Sequence, residues 1–282
     1  MNRKKLTALI MVLALAFTTL VGGTLAYFTD DDKAENVFTM GNVKIEQHEQ
    51  QRNKDNGSST AIVDFEQNQK VFPAVESKLT PKENITVNEY DFTIRKQAGN
   101  YIDKIVNVEN TGNSDAFVRT IIAIPNMNGY DDNEINQSEN PLHWNYLDAT
   151  DFEGTGWDWN GSNDTEVVPQ TDKVAAVEID GVEYDLYVAT YNKALPAGEF
   201  TSPSMVGFYL GKTVDFDEKG YFAMQGGQRI DLSEWLVPDA DGLVTLKILV
   251  ASQACQTEGF DDAWEALDEA FGDITATNHP WA

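Results

Sequence analysis

Beyond its first forty residues the chain alternates apolar and polar positions with the period of two expected of half-buried strands. The clearest stretch runs from Val174 to Asn192. Val177 and Ile179 alternate with polar residues, Asp180-Gly181 follows, and Val182, Tyr184, Leu186 and Val188 alternate beyond it. Asp-Gly between two such runs predicts a hairpin with a type I′ turn, because that turn needs positive φ at both central residues. Further strands are predicted at Val43 to Gln47, Ala61 to Phe65, Tyr90 to Arg95, Ile102 to Glu109, Phe117 to Ile124, Met205 to Leu210 and Leu243 to Ala251. Their spacing and turn residues fit an all-β sandwich or jelly roll. One helix is predicted at Asp261 to Phe271. Asp261 or Asp262 caps its first turn, Trp264, Leu267 and Phe271 share one apolar stripe, and Gly272 stops it.

Two stretches break the pattern. Gln47 to Thr60 is polar, carries no aliphatic side chain and reads as a mobile linker. Asn126 to Asp172 is rich in Asn, Asp and Gly yet contains Trp144, Tyr146, Trp157 and Trp159, and reads as a long loop excursion from the sandwich.

The N-terminus has a different pattern. Arg3, Lys4 and Lys5 precede an almost unbroken apolar run from Leu6 to Val21, and Thr24 and Ala26 then place small residues at −3 and −1. That order predicts a secretory signal peptide over residues 1–26, cleaved between Ala26 and Tyr27. The apolar run is shorter than the roughly 20 residues a spanning helix prefers. No stable membrane anchor is therefore expected, a retained one being the alternative. The predicted organisation is a signal at 1–26, a mature N-terminal strand segment at 27–46, a linker at 47–60 and a β-sandwich domain at 61–282 with its excursion at 126–172.

Charge agrees with export. The chain has 20 basic and 46 acidic residues, a formal charge of −26. Removing the signal takes away three bases and no acid, leaving 17 against 46, or −29. Such a surface repels phosphate backbones, so nucleic acid is excluded as a partner. Cys255 is the one cysteine, so no intrachain disulfide forms and the fold must rest on its core.

Four motifs carry a resemblance. Gly22-Gly23-Thr24-Leu25-Ala26-Tyr27-Phe28-Thr29-Asp30, then Asn36-Val37-Phe38-Thr39-Met40-Gly41-Asn42-Val43-Lys44-Ile45, is similar to the N-terminus of the TasA/camelysin superfamily. These are bacterial matrix proteins whose signals are removed by a dedicated signal peptidase of the SipW type. Asn107-Val108-Glu109-Asn110-Thr111-Gly112, leading to Ala116-Phe117-Val118-Arg119, is similar to a turn of the same superfamily. So is Tyr191 to Thr201, with Leu195, Gly198 and Thr201 at the family spacing. Leu246 to Phe260, followed by the helix, resembles the clostridial members. The resemblance implies a jelly-roll-like β-sandwich with long loops and one short C-terminal helix. It also implies a secreted structural subunit of an extracellular fibre or biofilm matrix, located in the matrix or at the cell surface. The implied partners are further copies of the chain in a head-to-tail homopolymer, other matrix proteins and the SipW-type peptidase. Relatives assemble by donating an N-terminal strand to the next subunit. Here the donor would carry Tyr27, Phe28, Val37, Phe38, Met40, Val43 and Ile45, with the polar stretch after it as tether.

Candidate chemistry is sparse. His48, His143 and His279 lie far apart in loop-like contexts, and no H-E-x-x-H motif is present. No catalytic residue, metal ligand or cofactor is assigned on this basis, although camelysin-type relatives have been assigned protease activity. Cys255 ends an apolar run and reads as a small core residue rather than a nucleophile. Asp30-Asp31-Asp32, Asp131 to Glu134 and Asp239 to Gly242 are candidates for calcium, but none forms a full EF-hand loop and solvated acidic turns suit them better. The Trp-rich excursion suggests a rival function, a cell-surface carbohydrate-binding or adhesin module. Exposure of Trp157 and Trp159 on one face would favour it, and burial would weaken it.

Overall fold

In a computed structural model of the chain, the residues described are 37–40, 43–52, 62–64, 83–87, 92–96, 102–127, 141–146, 156–159, 173–210, 214–233, 235–236 and 247–282. The signal-like segment, Ala26, Tyr27, Phe28 and the three acidic clusters lie outside them, as do residues 53–60 of the expected linker.

Two sheets form the body. The first has the order β1 (Val37–Met40), β16 (Leu249–Gln256), β7 (Ala116–Pro125), β11 (Val182–Tyr191), β10 (Ala175–Ile179), with β9 (Trp157–Trp159) also paired to β11. The second has the order β3 (Ile62–Asp64), β2 (Ile45–Arg52), β6 (Ile102–Asn110), β12 (Met205–Leu210), β8 (Leu142–Tyr146). A meander of β13 (Val214–Asp217), β14 (Gly220–Gln225) and β15 (Gln228–Asp231) and a pair, β4 (Glu83–Val87) with β5 (Phe92–Lys96), complete the strands among the described residues. The described helix, α1 (Ala263–Phe271), is single and short, as the sequence predicts.

The two sheets face each other across one core. Val106 and Val108 of β6 meet Val118, Ile122 and Ile124 of β7, Tyr187 and Ala189 of β11, and Phe208 of β12. Every residue of β7 is buried, because its other face is also covered. Phe117 and Cys255 pack under Ala263, Ala266 and Leu267 of α1, while Ala123, Leu186 and Leu249 lie beneath Ile274 and Trp281. Burial on both faces explains why Ile121-Ile122-Ala123-Ile124 is a continuous apolar run rather than an alternating one. The helix starts where Asp262 Oδ1 accepts from the backbone N–H of Trp264 and Glu265 at 2.7 and 3.2 Å. The Asp180-Gly181 turn has φ of 53° and 81°, the left-handed pair a type I′ hairpin requires.

The second and third family-like motifs meet in space. The Asn110 side-chain amide donates to the carbonyls of Ser114 and Leu195 at 2.8 and 2.9 Å, and its Oδ1 accepts from Gly112 N at 3.0 Å. Gly198 N donates to the Asn110 carbonyl at 2.8 Å. One buried asparagine thus shapes its own turn and fastens the Leu195 loop to it. Asn110→Ala removes these three side-chain hydrogen bonds, although the Leu195 carbonyl keeps the Ala116 N–H at 3.0 Å, and is expected to cost about 2–3 kcal/mol, read as a lower urea midpoint at unchanged slope.

Three expectations are corrected. Gln47 to Arg52 is the greater part of β2 and not a linker. The Asn126 to Asp172 stretch supplies β8, the edge of the second sheet, and β9, which pairs with β11, so these parts of it are built into the sandwich. His48 and His143 stand on strands, β2 and β8, and not in loops.

Candidate functional site

β1 lies at the edge of the first sheet and runs parallel to β16, with Val37, Phe38, Thr39 and Met40 in register with Ser252, Gln253, Ala254 and Cys255. It pairs with the chain's own β16. Val43 and Ile45, expected in the same donor segment, are buried in the chain's own core at 7% and 5% exposure. The segment therefore divides in two. Val37, Phe38 and Met40 sit on an edge strand, and Val43 and Ile45 lead into β2, which is held by β6 over six residue pairs from Ile45↔Asn110 to Gln50↔Ile105.

β2 is polar because both its faces carry chemistry. Gln47 and Glu49 turn inward. Ser252 Oγ donates to Gln47 Oε1 at 2.7 Å, and Gln47 Nε2 donates to Glu49 Oε1 at 3.2 Å. Lys104, almost fully buried, forms an ion pair with Glu49. This polar chain links the two sheets. Glu46 and His48 lie on the opposite, outer face with Glu109 of β6, and one ligand atom of each falls within 4.8 Å of the others. His48 Nε2 is 3.0 Å from Glu109 Oε2, and the Phe200 ring is 5.5 Å from the imidazole between centroids. Glu46 and Glu109 are direct cross-strand partners, as are His48 and Asn107. The sequence hides this grouping because it depends on the β2–β6 register; only the period-two spacing of Glu46 and His48 hints at it.

The other residues singled out in the sequence have structural surroundings. Trp144 packs on Trp159 and Tyr187 with centroids 5.2 Å apart in each pair, and Trp157 packs on Tyr191 at the same distance and donates from Nε1 to the Ser202 carbonyl at 3.0 Å. All three tryptophans are buried, which removes them as a glycan platform. His279 accepts from Trp281 N at 3.3 Å through Nδ1, away from the other histidines' strands. Cys255 is buried, and burial pushes its thiol up to about 11, opposed by the Arg119 guanidinium. The native thiol is expected to be alkylated roughly 100-fold more slowly than the unfolded one near pH 8, because little thiolate forms. Iodoacetamide labelling with and without denaturant measures this.

The fold and its outer-face grouping describe an all-β sandwich with an N-terminal edge strand and a cluster of possible cation ligands. Residues 2–53 match the model of a family described as camelysin metallo-endopeptidase, a stretch that ends with β2 and includes Glu46 and His48 but not Glu109. No curated protein and no solved structure matches the chain. The family description implies a metal. Among the described residues, Glu46, His48 and Glu109 are the one grouping whose donor atoms could share an ion. A Zn²⁺ there would act as a Lewis acid or activate a bound water. One imidazole with two carboxylates differs from the two imidazoles of a zincin helix. No described helix is long and apolar enough to cross a membrane.

Proposed function

We propose that this chain is a secreted structural subunit of an extracellular fibre or biofilm matrix, assembled by exchange of its N-terminal strand. The observation carrying this reading is β1: four residues at a sheet edge, parallel to β16, joined to the buried start of β2 by the short Gly41-Asn42 link. Removing β1 leaves the antiparallel ladder β16-β7-β11-β10 intact. A neighbour's β1 offers the same main-chain hydrogen bonds to β16, so exchange trades one copy's strand for another's. Each such contact joins two different surfaces and does not close, so repetition gives a filament.

Export supports the same reading. The basic, apolar and small-residue order of the first 26 residues suits a signal, and the camelysin-like match covers that region. Processing by a SipW-type peptidase between Ala26 and Tyr27 would free Tyr27 and Phe28 to extend the donated strand. Self-association is the principal partnership in this reading, with other matrix proteins as further partners.

Intact-mass measurement of the exported chain and electron microscopy of the purified product test it. A mature form beginning at Tyr27 that forms filaments is the expected result. Retention of Leu6 to Val21 in the exported form would overturn the soluble-subunit reading. A chain without Tyr27 to Met40 should remain folded by circular dichroism yet form no filaments. Normal filaments from that variant would exclude strand donation.

A further inference from the structure

The outer face of the second sheet carries an electrostatic arrangement that the fold does not need. Glu46 and Glu109 stand directly opposite each other on antiparallel strands. Like charges in that position are destabilising. The next cross-strand pair on the same face is His48 and Asn107. His48 reaches diagonally to Glu109, with 3.0 Å between Nε2 and Oε2. Asn107 is 0% exposed, and neither its Oδ1 nor its Nδ2 has a hydrogen-bond partner. A buried amide left so costs free energy, and such a group calls for a ligand. Period two puts Asn107 and Glu109 on one face of β6, with Val106 and Val108 on the other, so the unpartnered amide lies beside the cluster.

We propose that Glu46, His48 and Glu109, with Asn107 Oδ1 as a fourth donor, form a site for a first-row divalent cation of the Zn²⁺ type. The three ionisable ligand atoms already lie within 4.8 Å of one another. Ligands about 2.0–2.2 Å from a tetrahedral zinc are about 3.3–3.6 Å apart, so small side-chain rotations suffice. The cation neutralises the facing carboxylates and gives the Asn107 oxygen a partner. The imidazole selects against Ca²⁺ and Mg²⁺, which prefer all-oxygen shells. Two ligands come from β2 and two from β6. The bound ion therefore fastens β2 to the sheet and fixes the root of the N-terminal arm. The site stands whether or not that arm is exchanged between subunits.

The test is calorimetry with ZnCl₂ on the purified full-length chain at physiological salt, alongside thermal unfolding and Co²⁺ spectroscopy. One saturable zinc per chain is expected, with Tm raised by roughly 5–10 °C at zinc about 100-fold above Kd. Co²⁺ should give visible d–d bands that zinc abolishes. CaCl₂ at the same concentration should not displace it. His48→Gln should weaken zinc binding at least tenfold while its circular dichroism stays native. Asn107→Leu should weaken binding roughly 10–100-fold yet leave the apo Tm unchanged or higher, because no hydrogen bond is lost. A purely structural Asn107 would not separate those two readouts. Absence of a saturable zinc site, equal competition by calcium, or wild-type affinity in His48→Gln would each overturn the proposal.

Discussion

Arg119→Ala is expected to destabilise the protein by about 3 kcal/mol and to detach α1 from the sheet. Arg119 is 2% exposed on the α1-facing side of β7. Its Nε donates to Gln253 Oε1 at 2.7 Å, its cross-strand partner on β16. One terminal nitrogen donates to Asp268 Oδ1 and the other to the Gly272 carbonyl, both at 2.8 Å. The guanidinium also lies 5.8 Å from the Phe271 ring centroid. Truncation removes all four contacts and leaves a cavity under the last turn of the helix. The Asp268 side chain is 42% exposed, so water rescues that carboxylate and holds the loss to the lower end of the range for broken buried pairs. For the same reason Asp268→Asn should cost only about 1 kcal/mol, since Arg119 keeps two neutral acceptors. Lysine cannot replace the arginine, because one ammonium cannot reach three acceptors in a fixed plane. Urea unfolding of the three variants, followed at a helix-sensitive wavelength, gives the order. Equal losses for Arg119→Ala and Asp268→Asn would show that the ion pair alone holds the helix.

The elements legible in the sequence share one property: a single buried face with local punctuation. The hairpin at Val174 to Asn192 has apolar alternation and an Asp-Gly turn, and both strands form where expected. Met205–Leu210 and α1 are similar cases, the helix marked by Asp262 before it and Gly272 after it. Only the start of β2 falls in the strand predicted at Val43 to Gln47; the rest is hidden because its inward positions after Ile45 are Gln47 and Glu49, whose partners Ser252 and Lys104 are remote in sequence. Polar residues satisfied by long-range partners erase the apolar alternation that marks a strand. β9 is three residues long, too short to show a period, and its tryptophans are held by β11 and the core rather than by local signals. The β14–β15 hairpin turns on Gly226-Gly227, with φ of 54° and 80°, a two-residue signal of the same kind as Asp180-Gly181. The cluster of Glu46, His48 and Glu109 was beyond local reasoning, since two residues of register shift would separate it. The motif around Asn110 was visible as a turn, but its bond to the Leu195 loop was not.

Ile45→Asp and Phe38→Asp, only seven positions apart, are expected to fail in different ways. Ile45 begins β2 opposite Asn110 and is 5% exposed among Val43, Val106 and Val108. A carboxylate there loses the burial of an isoleucine and must be protonated or left unpaired in an apolar core. The loss should be about 4 kcal/mol or more, enough to unfold a marginally stable domain. Phe38 is on β1, in register with Gln253 at the sheet edge. A charge there should leave the sandwich folded, because the ladder from β16 to β10 does not depend on β1. It should nevertheless abolish filaments, since in the proposed assembly the exchanged strand must seat against the neighbour's β16. In the proposed assembly the expected donor segment thus separates into β1, the strand to be exchanged, and a root fixed in β2, with Gly41-Asn42 between them in sequence. Circular dichroism and electron microscopy of the two purified variants provide the comparison. Unfolding of Phe38→Asp would place β1 in the obligatory core of its own subunit. Filaments of normal appearance from the same variant would show that β1 plays no part in assembly.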